Sequence, residues 1–231
     1  MENRSDGRSA LITGSSSGLG LEITKYLVNC GYTVFGGSRS GTDFEHENFY
    51  DVELDLTSEE SVEEFFETIR EFTPTLNLVI NNAGICEMTP FGETSLEQFQ
   101  AHLAVNTVGP FILFKHLEAF LIKHETHIIS ILSTAAQYGY PNVSAYNASK
   151  FGQLGMLLSL KKEWKDYKIR FTNLFPGAID TPLWDKMGTK FSRDKMLKVH
   201  EFMSVLGFVV TAPANIQFPE LTFLHREGFL E

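Results

Sequence analysis

Short runs of apolar, β-prone residues alternate along the chain with longer stretches in which apolar positions recur about every four residues. The short runs fall at 9–13, 33–36, 50–54, 76–80, 126–132 and 169–174, and each predicts a strand. Between the first two, Leu19, Ile23 and Leu27 mark one helix face that stops just before Gly31. Thr57 with Glu60 and Ser95 with Gln98 have capping-box spacing, predicting a helix over 58–72 and a longer one running from 95 toward Lys123. A third long helix is predicted over about 146–164, and the last segment reads as helix over about 213–224. Strands joined by helical crossovers build a doubly wound α/β domain, a parallel sheet of six or seven strands with helices on both faces. The helical reading of the C-terminal segment argues against the seventh. In such a sheet the ligand site lies beyond the carboxyl ends of the strands, where the strand order reverses, so motifs just after strands carry the most information.

The 231 residues contain 43% hydrophobic positions and 20 Phe, enough apolar material for one large core and a single domain over 1–231. A net charge of −10 argues against binding to nucleic acid or to anionic membrane surfaces. No apolar stretch approaches the ~20 residues that cross a bilayer, and the first residues carry no secretory signal pattern. Cys30 and Cys86 are too few for a disulfide framework and suit a reducing, cytoplasmic setting.

The first strand runs into Gly14-Ser15-Ser16-Ser17-Gly18-Leu19-Gly20 and directly into a helix. Glycines there permit positive φ and let a pyrophosphate approach the main chain, while the helix N-terminus stabilises its charge. Gly14, Ser16, Ser17, Gly18, Leu19 and Gly20 are therefore candidate dinucleotide-binding residues. The same residues also spell G-x-S-x-G, a hydrolase nucleophile elbow with Ser16 as nucleophile. Only 13 residues precede Gly14, too few for the strands and oxyanion-hole loop of that architecture, and hydrolysis stays a remote alternative.

Four further motifs follow. Asn81-Asn82-Ala83-Gly84 comes after the fourth strand, and Asn106 lies in the long helix after Ser95. Ser133 follows the fifth strand, Tyr146-Asn147-Ala148-Ser149-Lys150 opens the next helix, and Pro176-Gly177 follows the sixth strand. Tyr146 and Lys150, four apart, share a helix face. A nearby ammonium favours phenolate and makes the phenol a usable acid–base group, and Ser133 is placed to donate a hydrogen bond to a carbonyl oxygen.

Together these motifs resemble the short-chain dehydrogenase/reductase family over about residues 9–182. The set Asn106, Ser133, Tyr146 and Lys150 matches that family's catalytic residues in identity and order, with Tyr146 thirteen positions after Ser133. The resemblance implies hydride transfer between a nicotinamide cofactor and a ketone, aldehyde or alcohol, with Tyr146 as general acid/base, Lys150 as its tuner and contact to the nicotinamide ribose, and Asn106 holding a relay water. It also implies cofactor contacts at Asp55 and Leu56, at Asn82, Ala83 and Gly84, and at Pro176, Gly177, Ile179 and Thr181. At the end of the second strand, Ser38-Arg39-Ser40 offers a guanidinium and hydroxyls where NAD-users carry a carboxylate. NADP(H) is thus preferred, with NAD(H) not excluded. A catalytically idle NADP(H)-sensing binding protein is the alternative from a different class.

The segment at about 182–204 is predicted to form a lid in which Trp184, Met187, Phe191, Met196, Leu197 and Phe202 face a substrate with an apolar body. The long helices around Asn106 and Tyr146 are expected to form a homodimer interface. Other signals are discounted. His124 and His127 have H-x-x-H spacing without a third ligand and read as surface histidines, so no metal site is expected. Cys86 reads as a small hydrophobe. The acid series from Glu59 to Glu71 reads as the solvated face of a helix that buries Val62, Phe65, Phe66 and Ile69.

Overall fold

The computed structural model describes residues 7–186 and 192–228, with the side chain of Lys186 left out. The described residues contain a parallel sheet of seven strands: β1 (Ser9–Thr13), β2 (Thr33–Ser38), β3 (Phe49–Glu53), β4 (Leu78–Asn81), β5 (Thr126–Ile131), β6 (Ile169–Pro176) and β7 (Glu220–Phe223). Their order is β3-β2-β1-β4-β5-β6-β7. The chain leaves β1 to one side for β2 and β3, then returns to the other side of β1 as β4. That reversal opens a crevice at the carboxyl ends of β1 and β4.

The central strands are apolar in succession because both of their faces are covered. On one face Phe35, Val79, Ile128 and Phe171 pack with residues of α2 (Glu59–Phe72), α4 (Gly109–Leu121) and α5 (Ser144–Glu163). On the other, Ala10, Ile12, Val34, Ile80 and Ile129 pack with Ile23 and Leu27 of α1 (Gly18–Asn29) and with Phe202 and Leu206 of α7 (Val199–Thr211). The acid-rich face of α2 is exposed while Val62, Phe65, Phe66 and Ile69 are buried, as its pattern required.

Three local expectations are corrected. Helix α2 is capped by Ser58, whose hydroxyl accepts from the Ser61 N–H, rather than by Thr57; Thr57 is instead tied to the Asp55 carboxylate. The capping box of Ser95 and Gln98 is present and opens α3 (Leu96–Leu103), and helical structure runs without a break to Leu121, though not as a single α-helix. A π-helical turn occupies Ala104–Val108, followed by α4. Pro110, in the first turn of α4, lacks the N–H that would continue the α-helical ladder, and the wider turn accommodates this.

The C-terminal segment is the third. In place of a helix over 213–224, β7 adds to β6 with Asn173 opposite Glu220 and Pro176 opposite Phe223. Pro219, inside the expected helix, removes a helical hydrogen bond, and the alternation of exposed Glu220 and Thr222 with half-buried Leu221 and Phe223 suits an edge strand. The seventh strand, doubted from sequence, is therefore present. No helix of the described residues is long and apolar enough to cross a membrane.

Candidate active site

The crevice opens into a cleft of about 860 Å³. Its outer half is built by the glycine turn. The φ angles of Gly14 and Gly18 are +75° and +54°, values at which a side chain is strained. A Cβ on Gly20 would lie 1.9 Å from the Gly14 carbonyl oxygen, so the turn closes onto the helix only with glycine there. Helix α1 starts with no side-chain cap and no acid in its first turn. Its first N–H groups and dipole thus face the cleft, a donor set that fits the pyrophosphate of a dinucleotide.

The turn is braced from behind. The Thr13 hydroxyl accepts from the N–H groups of Asn82 (3.1 Å) and Ala83 (3.0 Å), and the Asn82 carboxamide donates to the carbonyls of Thr13 (2.9 Å) and Gly14 (3.3 Å). The carboxamide of Asn82 is thereby committed to joining β4 to the turn. Thr13, which ends β1 and opens the glycine motif, is the other half of that brace.

At the end of β2, Ser38 is buried with its hydroxyl unpartnered, as is that of Ser15 nearby. Arg39 lies exposed at the rim, and both residues line the cleft. Asp55 accepts from the Thr57 N–H (2.8 Å) and hydroxyl (2.7 Å), which hold its carboxyl below the usual range, with the charge of Arg39 adding to them. Leu56, Ala83, Gly84, Pro176, Gly177, Ile179 and Thr181 also line the cleft. Ser16 meets only the Ser40 hydroxyl, at 3.4 Å, and no histidine lines the cleft among the described residues. A hydrolytic role for Ser16 thus lacks its base.

The inner half brings Ser133, Tyr146 and Lys150 together. Ser133 caps a single turn after β5 (Thr134–Ala136), its hydroxyl accepting from the Ala135 N–H at 3.1 Å, and it lines the same inner wall as Tyr146. The Lys150 ammonium lies 5.8 Å from the Tyr146 ring centroid. The expected fall of the Tyr146 pKa toward phenolate does not appear. Burial raises it above the ordinary value of 10.0, the neighbouring Cys86 adds to this, and the nearby Ser133 hydroxyl opposes it. Desolvation of the phenolate outweighs an ammonium at that distance. Burial likewise pushes Lys150 down to about 8, and the Cys86 thiol up to about 12.

Asn106 is fully buried within the π-helical turn and does not line the cleft. Its carboxamide accepts from the Ile85 N–H and donates to the Ile85 carbonyl and to the Ser149 hydroxyl, each at 2.9 Å. Its side chain thus ties the loop after β4 to α5.

Several contributors were not read from sequence. The Asn147 carboxamide donates to the carbonyls of Ala135 (2.8 Å) and Tyr138 (2.6 Å) and accepts from the Tyr140 N–H (3.1 Å), folding the segment after Ser133 onto α5. Tyr140 and Met88 join the cleft wall. Asn142, also in the wall, adopts a φ of 61°, and its carbonyl accepts from the Thr89 N–H at 2.7 Å. An Asn-containing loop hints at such a turn, but its cross-loop partner is not local.

Of the residues expected to form a lid, Trp184 lines the cleft among the described residues, and Met196, Leu197 and Phe202 do not. Trp184 and Leu183 line the cleft, and the Trp184 indole donates to the Ile179 carbonyl at 2.8 Å. Met187 and Phe191 lie outside the described residues. Met196, Leu197 and Phe202 are buried and do not line the cleft. Leu197 pairs with Ile179 in an isolated parallel bridge, and Phe202 belongs to the core under α7, so these residues are scaffold. His127 is likewise no surface residue: it is 5% exposed and shares a hydrogen bond of 2.9 Å with the Thr172 hydroxyl, because alternate β5 residues on both faces are covered.

The sequence profile described as short chain dehydrogenase matches residues 8–191. A 3-amino-tetrahydro-pyrrolizinone reductase of Xenorhabdus hominickii is 33% identical over 184 residues, covering 78% of this chain and 64% of the relative's own length. A 3-oxoacyl-[acyl-carrier-protein] reductase of Aquifex aeolicus is 31% identical over 194 residues, covering 79% of this chain and 78% of the relative. Among solved structures, an alcohol dehydrogenase of Thermococcus sibiricus complexed with 5-hydroxy-NADP superposes with a TM-score of 0.87 at 25% identity, covering 97% of this chain and 99% of that one.

Proposed function

Because the chain belongs to the short-chain dehydrogenase family, whose relatives here are reductases and dehydrogenases, we propose that it is an NADP(H)-dependent oxidoreductase interconverting a ketone or aldehyde and its alcohol. The observation that carries the reading is the convergence of Ser133, Tyr146 and Lys150 at the inner end of a cleft whose outer end is a glycine turn, with the Lys150 ammonium 5.8 Å from the Tyr146 ring centroid. The glycine turn and the N-terminus of α1 would hold the pyrophosphate, and Ser38 and Arg39 a 2′-phosphate. A bound reduced nicotinamide supplies hydride.

The chain's own residues supply the rest. The Ser133 hydroxyl orients the carbonyl oxygen and stabilises the negative charge that develops on it. Tyr146, a phenol protonated at neutral pH, is poised to give its phenolic proton to that oxygen, and in the reverse direction takes it back. The Lys150 ammonium stabilises the phenolate left after transfer. Asn106 holds the Ile85 loop and α5 in register around these groups. The apolar wall at Met88 and Trp184 supports a substrate with an apolar body. Exposed Val108, Phe111, Phe151 and Leu158 on or next to α4 and α5 support a homodimer through those helices, and the two free cysteines support a reducing, cytoplasmic setting.

The test is a fluorescence titration of NADPH and NADH into the pure protein, followed by a carbonyl screen. Tight NADPH binding that R39A weakens more than it weakens NADH binding, with turnover lost in Y146F while NADPH still binds, is the expected result. Failure to bind either cofactor would overturn the reading. Binding without turnover of any carbonyl would favour a dinucleotide-sensing protein.

A further inference from the structure

We propose that Gln153 is a positioning residue for Lys150, its side-chain carbonyl holding the lysine ammonium in place at the inner end of the cleft. The inference rests on the role given to Lys150 above, and it adds a residue to the set read from the motifs.

Gln153 lies three positions after Lys150 and so shares its helix face. That face of α5 packs on the sheet, with Leu157 one turn further on 1% exposed. An apolar residue would be the ordinary occupant of position 153. A glutamine stands there instead, 1% exposed, and a buried amide is costly unless its polar atoms are matched. Its Oε1 accepts from the Lys150 ammonium at 3.2 Å. The assignment of the amide oxygen follows from chemistry, because an ammonium donates three hydrogen bonds and accepts none.

Lys150 is itself 3% exposed, and its other acceptor is the Ile131 carbonyl at the end of β5, at 3.4 Å. None of the ion pairs among the described residues includes it. The groups around it carry no compensating charge. On α5 itself there is the Tyr146 ring, with His102 of α3 edge-on at 6.5 Å beyond it. From the loop after β4 comes Cys86, a thiol that burial keeps protonated, and the carboxylate of the next residue, Glu87, is exposed and accepts from the Gln98 carboxamide at 3.1 Å. From the π-helical turn comes the neutral carboxamide of Asn106, across Gly84. The buried ammonium is therefore met by two carbonyl dipoles, and the shorter contact is the one a side chain provides. Loss of that acceptor leaves desolvation of the ammonium less opposed, which lowers the pH at which Lys150 gives up its proton and frees its head to leave the inner cleft.

The test reads Lys150 directly. Protein carrying ¹³C-labelled lysine is titrated by NMR, with the Lys150 Cε signal assigned by its loss in K150R. Q153M keeps length and volume without the carbonyl, and its Lys150 midpoint is expected to fall by about one pH unit. Q153E places a carboxylate at the same reach, and its midpoint is expected to rise by about one unit or more. In turnover, the alkaline limb of kcat should move in the same two directions. A Lys150 midpoint within about 0.2 units of wild type in folded Q153M overturns the proposal, as does a shift of the same sign in both variants. Should one variant fail to fold, the other decides alone. The titration needs no substrate, so opposite shifts in a protein that reduces no carbonyl would sink the oxidoreductase reading and leave the Gln153 contact standing.

Discussion

Asn147 offers the sharpest test of how the site is held. Its carboxamide makes three hydrogen bonds, to Ala135, Tyr138 and Tyr140, at 2.8, 2.6 and 3.1 Å, and it is 9% exposed. Each bond contributes about 1 kcal/mol net, and a buried backbone group left unmatched costs somewhat more. Asn147→Ala is therefore expected to lose about 3 kcal/mol of stability in urea denaturation at pH 7, with the midpoint moving and the slope unchanged. Asn147→Asp separates this from packing. The aspartate keeps an acceptor for the Tyr140 N–H but turns a carboxylate oxygen toward two carbonyls that had received N–H donors, so it should be less stable than Asn147→Ala at neutral pH. Those carbonyls favour the protonated acid, so its folded pKa is raised. The deficit is then greatest above that pKa and shrinks as pH falls through it. An Asn147→Ala loss below about 0.5 kcal/mol, or an Asn147→Asp protein as stable at pH 7 as the alanine variant, would refute the argument.

Gly20→Ala should cost about 2 kcal/mol or more and weaken NADPH binding, because its Cβ would meet the Gly14 carbonyl oxygen at 1.9 Å and only a shift of the turn relieves it; unchanged binding in the same titration would contradict the geometry. His127 is held down to about 4 by burial, with Arg170 contributing, while the unfolded ring protonates near 6.5. Its contribution is therefore complete above about pH 6.5 and is lost progressively down to about pH 4, roughly 3 kcal/mol in all, and His127→Gln should flatten that part of the stability–pH curve. Light scattering at micromolar concentration should give a dimer that Phe111→Glu with Phe151→Glu converts to monomer, the two rings being 53% and 46% exposed; a single monomeric species in the unaltered protein would remove the proposed interface.

Much of the site was legible because its residues sit where a strand hands over to a helix. Gly14 to Gly20, Ser133 and the pair Tyr146 and Lys150 are each set by local geometry, and the crossovers bring all of them to one edge of the sheet. What escaped is long-range pairing between polar side chains and backbone. Asn147 stands inside the motif with Tyr146 and Lys150, yet its partners are carbonyls 9 and 12 residues earlier. The Asn106 carboxamide binds 21 and 43 residues away, and nothing in its neighbourhood along the chain announces either partner. The ionisation states were not legible either, since burial, which reversed the expected shift of Tyr146, is a property of the assembled layers.

At the C-terminus the same division shows in one segment. Residues 213–224 carry apolar positions compatible with a helix, and within them only Pro219 weighs against it. The open edge of β6 chooses, because its unpaired backbone groups are satisfied by a parallel partner from Asn173 to Pro176. Alternating periodicity and turn chemistry thus determined, from the chain alone, a doubly wound sheet with its chemistry gathered at the carboxyl ends of the strands. Only the tertiary structure decided which polar groups hold one another there, whether Phe202 faces a cleft or a core, and how strongly burial weighs on Tyr146 and Lys150, since those depend on neighbours that sequence separation hides and on the solvent that folding removes.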